Sequence, residues 1–311
     1  MRIALIGGTG FVGGYLVDAL VEAGHEPTVL VREGSGSKLQ RADACRLVEG
    51  DVSSADALAE TVAGTDALIY NIGILREHRG SGVTFEALQF DGVRSALSAA
   101  RDAGVRRFLL MSANGVKVPG TPYQETKYRA EQAALESGLD VTVFRPSIIF
   151  GDPRGTMEFA TQLYRDMVRP PLPAVAFHTG CLPGSGDVLM SPAHARDIAT
   201  AFVNALENEA TIGKIYTIGG PEVLSWSAML RRVAAAAGKK KLLLPMPIPA
   251  MKLAAALFDW LPVFPVTRDQ LTMLAEGNVA SPDELTALIG REPLGFTVEN
   301  LEYLTGRPET T

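Results

Sequence analysis

Tyr123 and Lys127, four residues apart, form the part of this 311-residue sequence best suited to proton transfer. In a helix, this spacing places both side chains on one face, a single turn apart. A phenol with an ordinary pKa of about 10 is a poor acid or base at neutral pH, and a neighbouring ammonium group favours its ionised form. The pair therefore predicts general acid–base chemistry.

Ser112 would complete such a site. It ends a predicted strand in the stretch MSANG, and its hydroxyl would polarise a substrate carbonyl or stabilise the oxyanion formed from it. The alternative is that the Tyr-x-x-x-Lys spacing is accidental. Tyr128 would then be the packed aromatic residue, and Tyr123 would lie on the surface.

The segment GGTGFVG at positions 7–13 satisfies both GxGxxG and GxxGxxG. Glycine allows a tight turn and a close approach of the backbone to a pyrophosphate, and the following helix offers unpaired N–H groups. Because this segment lies between a predicted strand and a predicted helix, it indicates a dinucleotide site rather than a plain turn. The residues expected around the dinucleotide are Gly7, Thr9, Gly10, Phe11, Val12 and Gly13.

Arg32 stands 19 residues after Gly13, at the end of the second predicted strand. NAD-binding sites usually place an acidic residue there to accept from the ribose 2′-hydroxyl, whereas a guanidinium can pair with a 2′-phosphate. The sequence therefore favours NADP(H). Glu33 is the adjacent acidic residue, so NAD(H) is the alternative.

The elements that would position these residues alternate regularly in the first half of the chain. The predicted strands are Arg2–Ile6, Pro27–Val31, Arg46–Glu49, Ala67–Tyr70, Arg107–Met111 and Asp140–Phe144. The predicted helices are Phe11–Ala23, Ala55–Val62, Thr84–Ala103 and Tyr123–Ser137. This alternation predicts an α/β fold of the Rossmann type, with a doubly wound parallel sheet.

The later sequence predicts a smaller substrate lobe built from insertions. We expect a dinucleotide-binding core at 1–150, a Pro- and Gly-rich insertion at 151–192, the rest of the core at 193–240 and a C-terminal lobe at 241–311. Further elements are predicted at His194–Glu207, Lys214–Ile218 and Ser225–Ala237. Arg154 or Arg165 would pair with a phosphorylated substrate.

Residues 242–266 are unusually apolar, but five prolines, Lys252 and Asp259 interrupt the run. It is therefore not expected to span a membrane. One interpretation is a buried or lid-like helix over Ala250–Trp260. The other is a peripheral patch, preceded by three lysines at 239–241, that meets a membrane or a respiratory complex.

Several motifs together resemble the extended and atypical branch of the short-chain dehydrogenase/reductase superfamily. They are GGTGFVG at 7–13, GD at 50–51, NIG at 71–73, YQETK at 123–127, RPSIIFG at 145–151 and RDIA at 196–199. The stretches at 219–230 and 267–279 resemble in particular the nucleotide-binding accessory subunit of respiratory complex I and its stand-alone bacterial relatives. These relatives are similar to NAD-dependent epimerases and dehydratases.

The resemblance implies further cofactor-binding residues. Asp51 and Val52 would flank the adenine, and Asn71, Ile72 and Gly73 would line the cofactor after the fourth strand. Pro146 would approach the nicotinamide, and Lys127 would hold its ribose. Asp51 as a turn residue and Pro146 as a strand terminator are the alternatives.

Composition excludes other classes of function. A net charge of −6 argues against a nucleic-acid surface. His25, His78, His178 and His194 lack metal-ligand spacing. Cys45 and Cys181 have no CxxC partner and are typical of a reducing compartment, with a single bridge as the alternative. The chain starts directly with a strand, so we expect a cytoplasmic protein, peripheral to the inner face of a membrane if residues 242–266 form a membrane contact.

Two functions follow. The first is an NADP(H)-dependent oxidoreductase, or an epimerase-like enzyme, acting on a small carbonyl or hydroxyl substrate, with Tyr123 as acid or base and hydride passing to or from the nicotinamide. The second is a catalytically silent nucleotide-binding assembly protein of a membrane respiratory complex. It is favoured because many relatives of that subunit lack the catalytic residues. It is also favoured because Tyr123 follows Ser112 by only 11 positions, a separation shorter than is usual in extended members.

Overall fold

The structure is a computed structural model that describes residues 1–180, 185–258 and 268–306, and for 254–258 the backbone alone. Seven apolar segments form one parallel sheet in the order β3-β2-β1-β4-β5-β6-β11. These strands are β1 (Arg2–Ile6), β2 (Glu26–Val31), β3 (Arg46–Glu49), β4 (Ala67–Tyr70), β5 (Arg107–Met111), β6 (Asp140–Pro146) and β11 (Ile215–Ile218). The predicted Rossmann-type fold is confirmed.

The described residues form ten α-helices. They are α1 (Phe11–Glu22), α2 (Ala55–Val62), α3 (Gly92–Asp102), α4 (Pro122–Leu135), α5 (Phe159–Leu163), α6 (Ala195–Leu206), α7 (Trp226–Ala236), α8 (Ile248–Phe258), α9 (Arg268–Glu276) and α10 (Asp283–Ile289). Of these, α5, α9 and α10 were not predicted from the sequence. Helix α4 begins at a capping box: Thr121 accepts from the N–H of Gln124, whose side chain accepts in return from the N–H of Thr121. This cap fixes the first turn, which carries Tyr123.

The segment before α3 differs from the sequence prediction. A single α-helix was expected over Thr84–Ala103, but Glu86–Asp91 form a π-helix that leads into α3. The wider turn lets the carbonyl of Leu88 accept from the buried Tyr70 hydroxyl at 2.5 Å. Gly92 is required beside that hydroxyl, because a Cβ there would lie 2.3 Å from it.

The chain divides into two compact units. The first contains 1–146, 195–217 and 284–291, and the second contains 147–194, 218–283 and 292–311. The first unit holds the sheet and a core of interlocked aliphatic side chains between β4, β5 and helices α2 to α4. Residues 218–240, expected as part of the core, belong to the second unit, and 284–291 return to the first.

The second unit contains the remaining short strands and its own core around Trp226. These strands are β7 (Ile149–Phe150), β8 (Ala174–His178), β9 (Leu189–Met190), β10 (Ala193–His194), β12 (Leu224–Ser225) and β13 (Leu243–Pro247). They pair as β7–β10, β9–β12 and β8–β13. Ser225 caps α7 by accepting from the N–H of Ala228, as its position predicts.

The apolar segment 242–266 is described only as far as 258. It begins with β13, and helix α8 covers Ile248–Phe258, close to the predicted Ala250–Trp260, whose last two residues lie outside the described part. Within the described residues, no helix has the length and apolar character needed to cross a bilayer. Cys45 carries a free thiol, whereas Cys181 lies outside the described residues.

Candidate functional site

The glycine turn connects β1 to α1 at the carboxyl edge of the sheet. Gly7 adopts a φ of +91°, which favours glycine, and a Cβ on Gly13 would lie 2.2 Å from the carbonyl oxygen of Gly7. Helix α1 begins at Gly10, which offers no side-chain cap. The N–H groups of its first turn are therefore left for a ligand, and the turn fits an anionic pyrophosphate.

The loop after β4 lies directly against this turn. The Asn71 side chain donates to the carbonyl oxygen of Gly7 at 3.3 Å, and the Asn71 N–H donates to Ile6 at 2.9 Å. A Cβ on Gly7 would lie 2.9 Å from the Asn71 carbonyl. Strands β1 and β4 are neighbours in the sheet. From β1 the strand order runs through β2 to β3 at one edge, and from β4 it runs through β5 and β6 towards the other edge. In doubly wound sheets, dinucleotides bind at the point where the strand order reverses in this way.

Lys127 lies beneath that loop and is only 4% exposed. Its ammonium donates to the carbonyl oxygens of Met111 at 2.8 Å and Ile72 at 3.2 Å, and so joins the ends of β5 and β4. A Cβ on Gly73 would lie 3.6 Å from Nζ. Burial lowers the pKa of Lys127 to about 8, opposed by the charge of Glu131. The protein thus engages two of the three N–H bonds of the ammonium.

Tyr123 is one helical turn before Lys127 and is partly buried, as is Tyr128. Its ring packs edge-to-face on Phe85, with ring centres 5.7 Å apart. Burial raises the pKa of Tyr123 to about 12. This direction is opposite to the one expected from the neighbouring ammonium, because burial disfavours the phenolate. At neutral pH the phenol holds its proton and can act as an acid.

Ser112 follows β5 directly and is 4% exposed. Its N–H donates to Phe144 at 2.7 Å, but its hydroxyl has no hydrogen-bond partner among the described residues. A buried hydroxyl without a partner is costly, so its presence at a strand end indicates a ligand that completes it. A carbonyl or oxyanion meets that requirement.

The other predicted cofactor residues follow neighbouring strands at the same edge. Arg32 is exposed after β2, and its guanidinium makes no hydrogen bond or ion pair within the described part of the chain. Asp51 accepts from the N–H of Ser53 at 3.0 Å, and Val52 is buried. Pro146 ends β6, and its carbonyl accepts from Asn114 at 2.9 Å.

Two residues that belong to this site were missed from the sequence. Glu131, one turn after Lys127, is fully buried and forms an ion pair with Arg145 of β6, whose Nε lies 2.9 Å from it. Hydrogen bonds with Glu131 raise the pKa of Arg145. A charged residue on the inward face of a helix is the signal that could have identified the pair.

No group of three or more His, Cys, Asp or Glu residues that could hold a metal ion is found in the described ranges. Arg154 and Arg165, expected to meet a phosphorylated substrate, lie in the second unit. The Arg165 guanidinium pairs with Asp166 at 2.7 Å.

Comparison with known proteins agrees with a nucleotide site. Residues 7–167 match a family model described as NAD(P)H-binding. The chain is 29% identical to the ceramide reductase of Caulobacter vibrioides, covering 83% of this chain and 77% of that protein. It is 26% identical to the mitochondrial NADH dehydrogenase [ubiquinone] 1 alpha subcomplex subunit 9 of Arabidopsis thaliana, covering 98% of this chain and 78% of that protein.

The fold also has solved counterparts. The UDP-glucose 4-epimerase of Thermus thermophilus, solved as a complex with NAD, matches with a TM-score of 0.73 at 20% identity, over 98% of this chain and 99% of that chain. At this identity the likeness concerns the fold alone.

Proposed function

This chain belongs to the NAD(P)H-binding family within the extended short-chain dehydrogenase/reductase superfamily, and from that premise we propose that it is an NADP(H)-dependent oxidoreductase. The reaction is the reduction of a carbonyl group of an apolar small molecule, or its reverse. The nucleotide supplies the hydride. The Tyr123 phenol supplies the proton to the oxygen of the substrate, and the Ser112 hydroxyl donates to that oxygen as its charge develops.

The observation that carries this proposal is the hydroxyl of Ser112, which has no partner among the described residues and directly follows the strand end that Lys127 holds. Lys127 donates to the carbonyl oxygen of Met111, the residue immediately before Ser112. The Lys127 ammonium is thus fixed to the residue before Ser112, and Tyr123 lies one helical turn before Lys127 on α4. Buried polar groups are mostly hydrogen-bonded in folded proteins, so a hydroxyl left without a partner at a strand end supports a ligand there.

The preference for NADP(H) is argued from Arg32. Its free guanidinium follows β2, where the ribose of a bound dinucleotide would lie, and it can form a bidentate pair with a 2′-phosphate. An apolar substrate is supported by the similarity to a protein named for ceramide, which is a lipid.

The test follows NADPH absorbance while the purified protein is mixed with panels of apolar carbonyl compounds and quinones. Oxidation that is roughly 10²- to 10⁴-fold slower in Tyr123→Phe, with unchanged NADPH affinity, supports the enzyme. Tyr128→Phe is the matched control and keeps its activity. Equal activity in Tyr123→Phe and the unaltered protein would reject Tyr123 as the acid.

A second candidate function is that of a nucleotide-holding accessory protein without turnover. It is favoured by the similarity to the complex I subunit over nearly the whole chain. A pKa of about 12 at Tyr123 also means that almost no phenolate is present at neutral pH to act as a base. Tightly bound nucleotide in the purified protein, with no oxidation across the panels, would favour this function over the first.

A further inference from the structure

Three exposed leucines lie at the start of the β8–β13 pair of the second unit: Leu172 precedes β8, Leu242 precedes β13, and Leu244 is the second residue of β13. Leu172, Leu242 and Leu244, which we call the leucine face, are 70%, 72% and 51% exposed. Single exposed leucines are ordinary in soluble proteins, whereas a contiguous group indicates a contact surface. Leu172 is distant in sequence from Leu242 and Leu244, and only the pairing of β8 with β13 brings them near one another.

The pairing of the two strands creates the leucine face. Leu243 is in register with Ala174, and the N–H of Ala174 donates to the carbonyl oxygen of Leu242 at 2.9 Å. One step back in this register, Leu242 comes beside Pro173, which follows Leu172. Leu243 packs against the core of the second unit, so the alternating Leu242 and Leu244 point away from it.

The same edge is poorly suited to a partner strand. Pro245 and Pro247 lie within β13 and have no backbone N–H to donate. A protein that extended this sheet would therefore meet gaps in its hydrogen-bond ladder. A lipid bilayer does not need backbone hydrogen bonds to bind an apolar surface. The prolines therefore favour lipid over an added strand as the partner.

Basic side chains surround the leucine face. Arg169, Lys239 and Lys240 are exposed within three residues of a leucine of the face. The Lys241 ammonium donates to the carbonyl oxygens of Val168 at 3.1 Å and of Pro170. These two bonds hold the segment before Leu172 against the segment before Leu242. Arg169 in the first segment and the lysines in the second therefore lie at the same end of the leucine face.

The charge at this rim is opposite in sign to the charge of the whole chain, which is −6. The nearby Asp166 is already paired with Arg165. Cations around an apolar centre are the arrangement with which proteins bind the interface of membranes that contain anionic lipids.

We propose that the leucine face and its basic rim attach the second unit to the surface of an anionic lipid bilayer. The leucines enter the boundary between headgroups and acyl chains, and Arg169, Lys239 and Lys240 meet lipid phosphates. This proposal does not depend on whether the first unit is catalytic.

The test is co-flotation of the full chain with vesicles of phosphatidylcholine, with and without phosphatidylglycerol. We expect association with the anionic vesicles that weakens as salt is added. Replacing Lys239 and Lys240 together by Gln should weaken it roughly 20- to 30-fold, which corresponds to about 1 kcal/mol for each charge. Leu242→Gln combined with Leu244→Gln should weaken association with both lipid compositions.

Val223→Gln is the matched control, because Val223 is 54% exposed in the same unit but lies outside the face. Its binding should equal that of the unaltered chain. Each variant must also keep its thermal midpoint and its NADPH affinity, which separates loss of binding from loss of folding. Equal recovery with neutral and anionic vesicles, or unchanged binding of the lysine variant, would overturn the proposal. Binding to native membranes but not to protein-free vesicles would do the same and would assign the face to a protein partner.

Discussion

Lys127 donates from its buried ammonium to the carbonyl oxygen of Met111 at 2.8 Å, at the end of the strand that leads into Ser112. This bond links helix α4, which carries Tyr123, to the strand that carries the unpartnered hydroxyl. It also sets the ionisation of the site, because the lysine is held where burial disfavours its charge. The pH dependence of the site should therefore follow this lysine.

We predict that NADPH affinity falls as the pH rises through about 8, the pKa of buried Lys127. Above that value the lysine is neutral and loses the charge that attracts an anionic nucleotide. Lys127→Met should bind NADPH more weakly at neutral pH and show no change through this window. Titration by nucleotide fluorescence measures both. Lys214→Met, at an exposed position of the first unit, should behave as the unaltered chain does.

The same lysine also affects the free energy of unfolding, which we expect to rise with pH, whereas the NADPH affinity falls. Its pKa in the folded protein, about 8, is below its ordinary value of 10.5, so the unfolded chain binds more protons between these values. The free energy of unfolding should therefore gain a contribution that rises with pH in this window. Denaturant unfolding of Lys127→Met should lack the contribution, and an identical pH profile for both proteins would contradict it.

Much of this site was predictable because strand ends and glycine spacing are local signals. Four of the predicted strands have the observed bounds, and the turn at Gly7–Gly13 lies where its spacing placed it. The π-helix at Glu86–Asp91 was not predicted, because the apolar spacing there is that of an α-helix and the Tyr70 hydroxyl that contacts Leu88 is distant in sequence. The β8–β13 pair was missed for a similar reason: its strands are distant in sequence, and their prolines indicate irregular chain. Contacts between residues that are distant in sequence leave no periodicity or motif from which they could be predicted.

For the glycine turn, Gly13→Ala and Gly10→Ala should separate folding from binding. A Cβ at Gly13 would overlap the backbone oxygens of Gly7 and Gly8, at 2.2 and 2.5 Å, so the free energy of unfolding should fall by about 1–3 kcal/mol. A Cβ at Gly10 comes no closer than 3.5 Å to the protein, so stability should hold while NADPH affinity falls. Thermal unfolding and nucleotide titration measure the two effects. Equal NADPH affinity in Gly10→Ala would place the pyrophosphate elsewhere.

Cofactor preference should change with Arg32→Gln. Loss of a charge-assisted pair with the 2′-phosphate should weaken NADPH binding roughly tenfold to a hundredfold and leave NADH binding unchanged. Glu33→Gln is the matched neighbour, exposed on the same turn, and should leave NADPH binding intact. Calorimetric titration with both nucleotides decides the matter. If Glu33→Gln weakens NADH while Arg32→Gln has no effect, the site is built for NAD(H).

In the second unit, stability should respond to Glu158, which is 5% exposed at the start of α5. It accepts from the N–H of Ala160 at 2.6 Å and from the Tyr303 hydroxyl at 3.2 Å, yet burial raises its pKa from 4.5 to about 6. The folded chain therefore holds this proton more tightly than the unfolded chain. The contribution of Glu158 to the free energy of unfolding should therefore be greatest below pH 4.5 and fall by about 2 kcal/mol as the pH rises through 6.

Glu158→Gln should remove this loss, so the variant gains stability relative to the unaltered chain between pH 4.5 and 6. Denaturant unfolding followed by tryptophan fluorescence measures it, because Trp226 lies in the core of the second unit. Glu299→Gln is the control of opposite sign, since hydrogen bonds lower the pKa of Glu299 and its contribution is lost as the pH falls. A difference between Glu158→Gln and the unaltered chain that is flat across this window would show that the Glu158 carboxyl titrates normally.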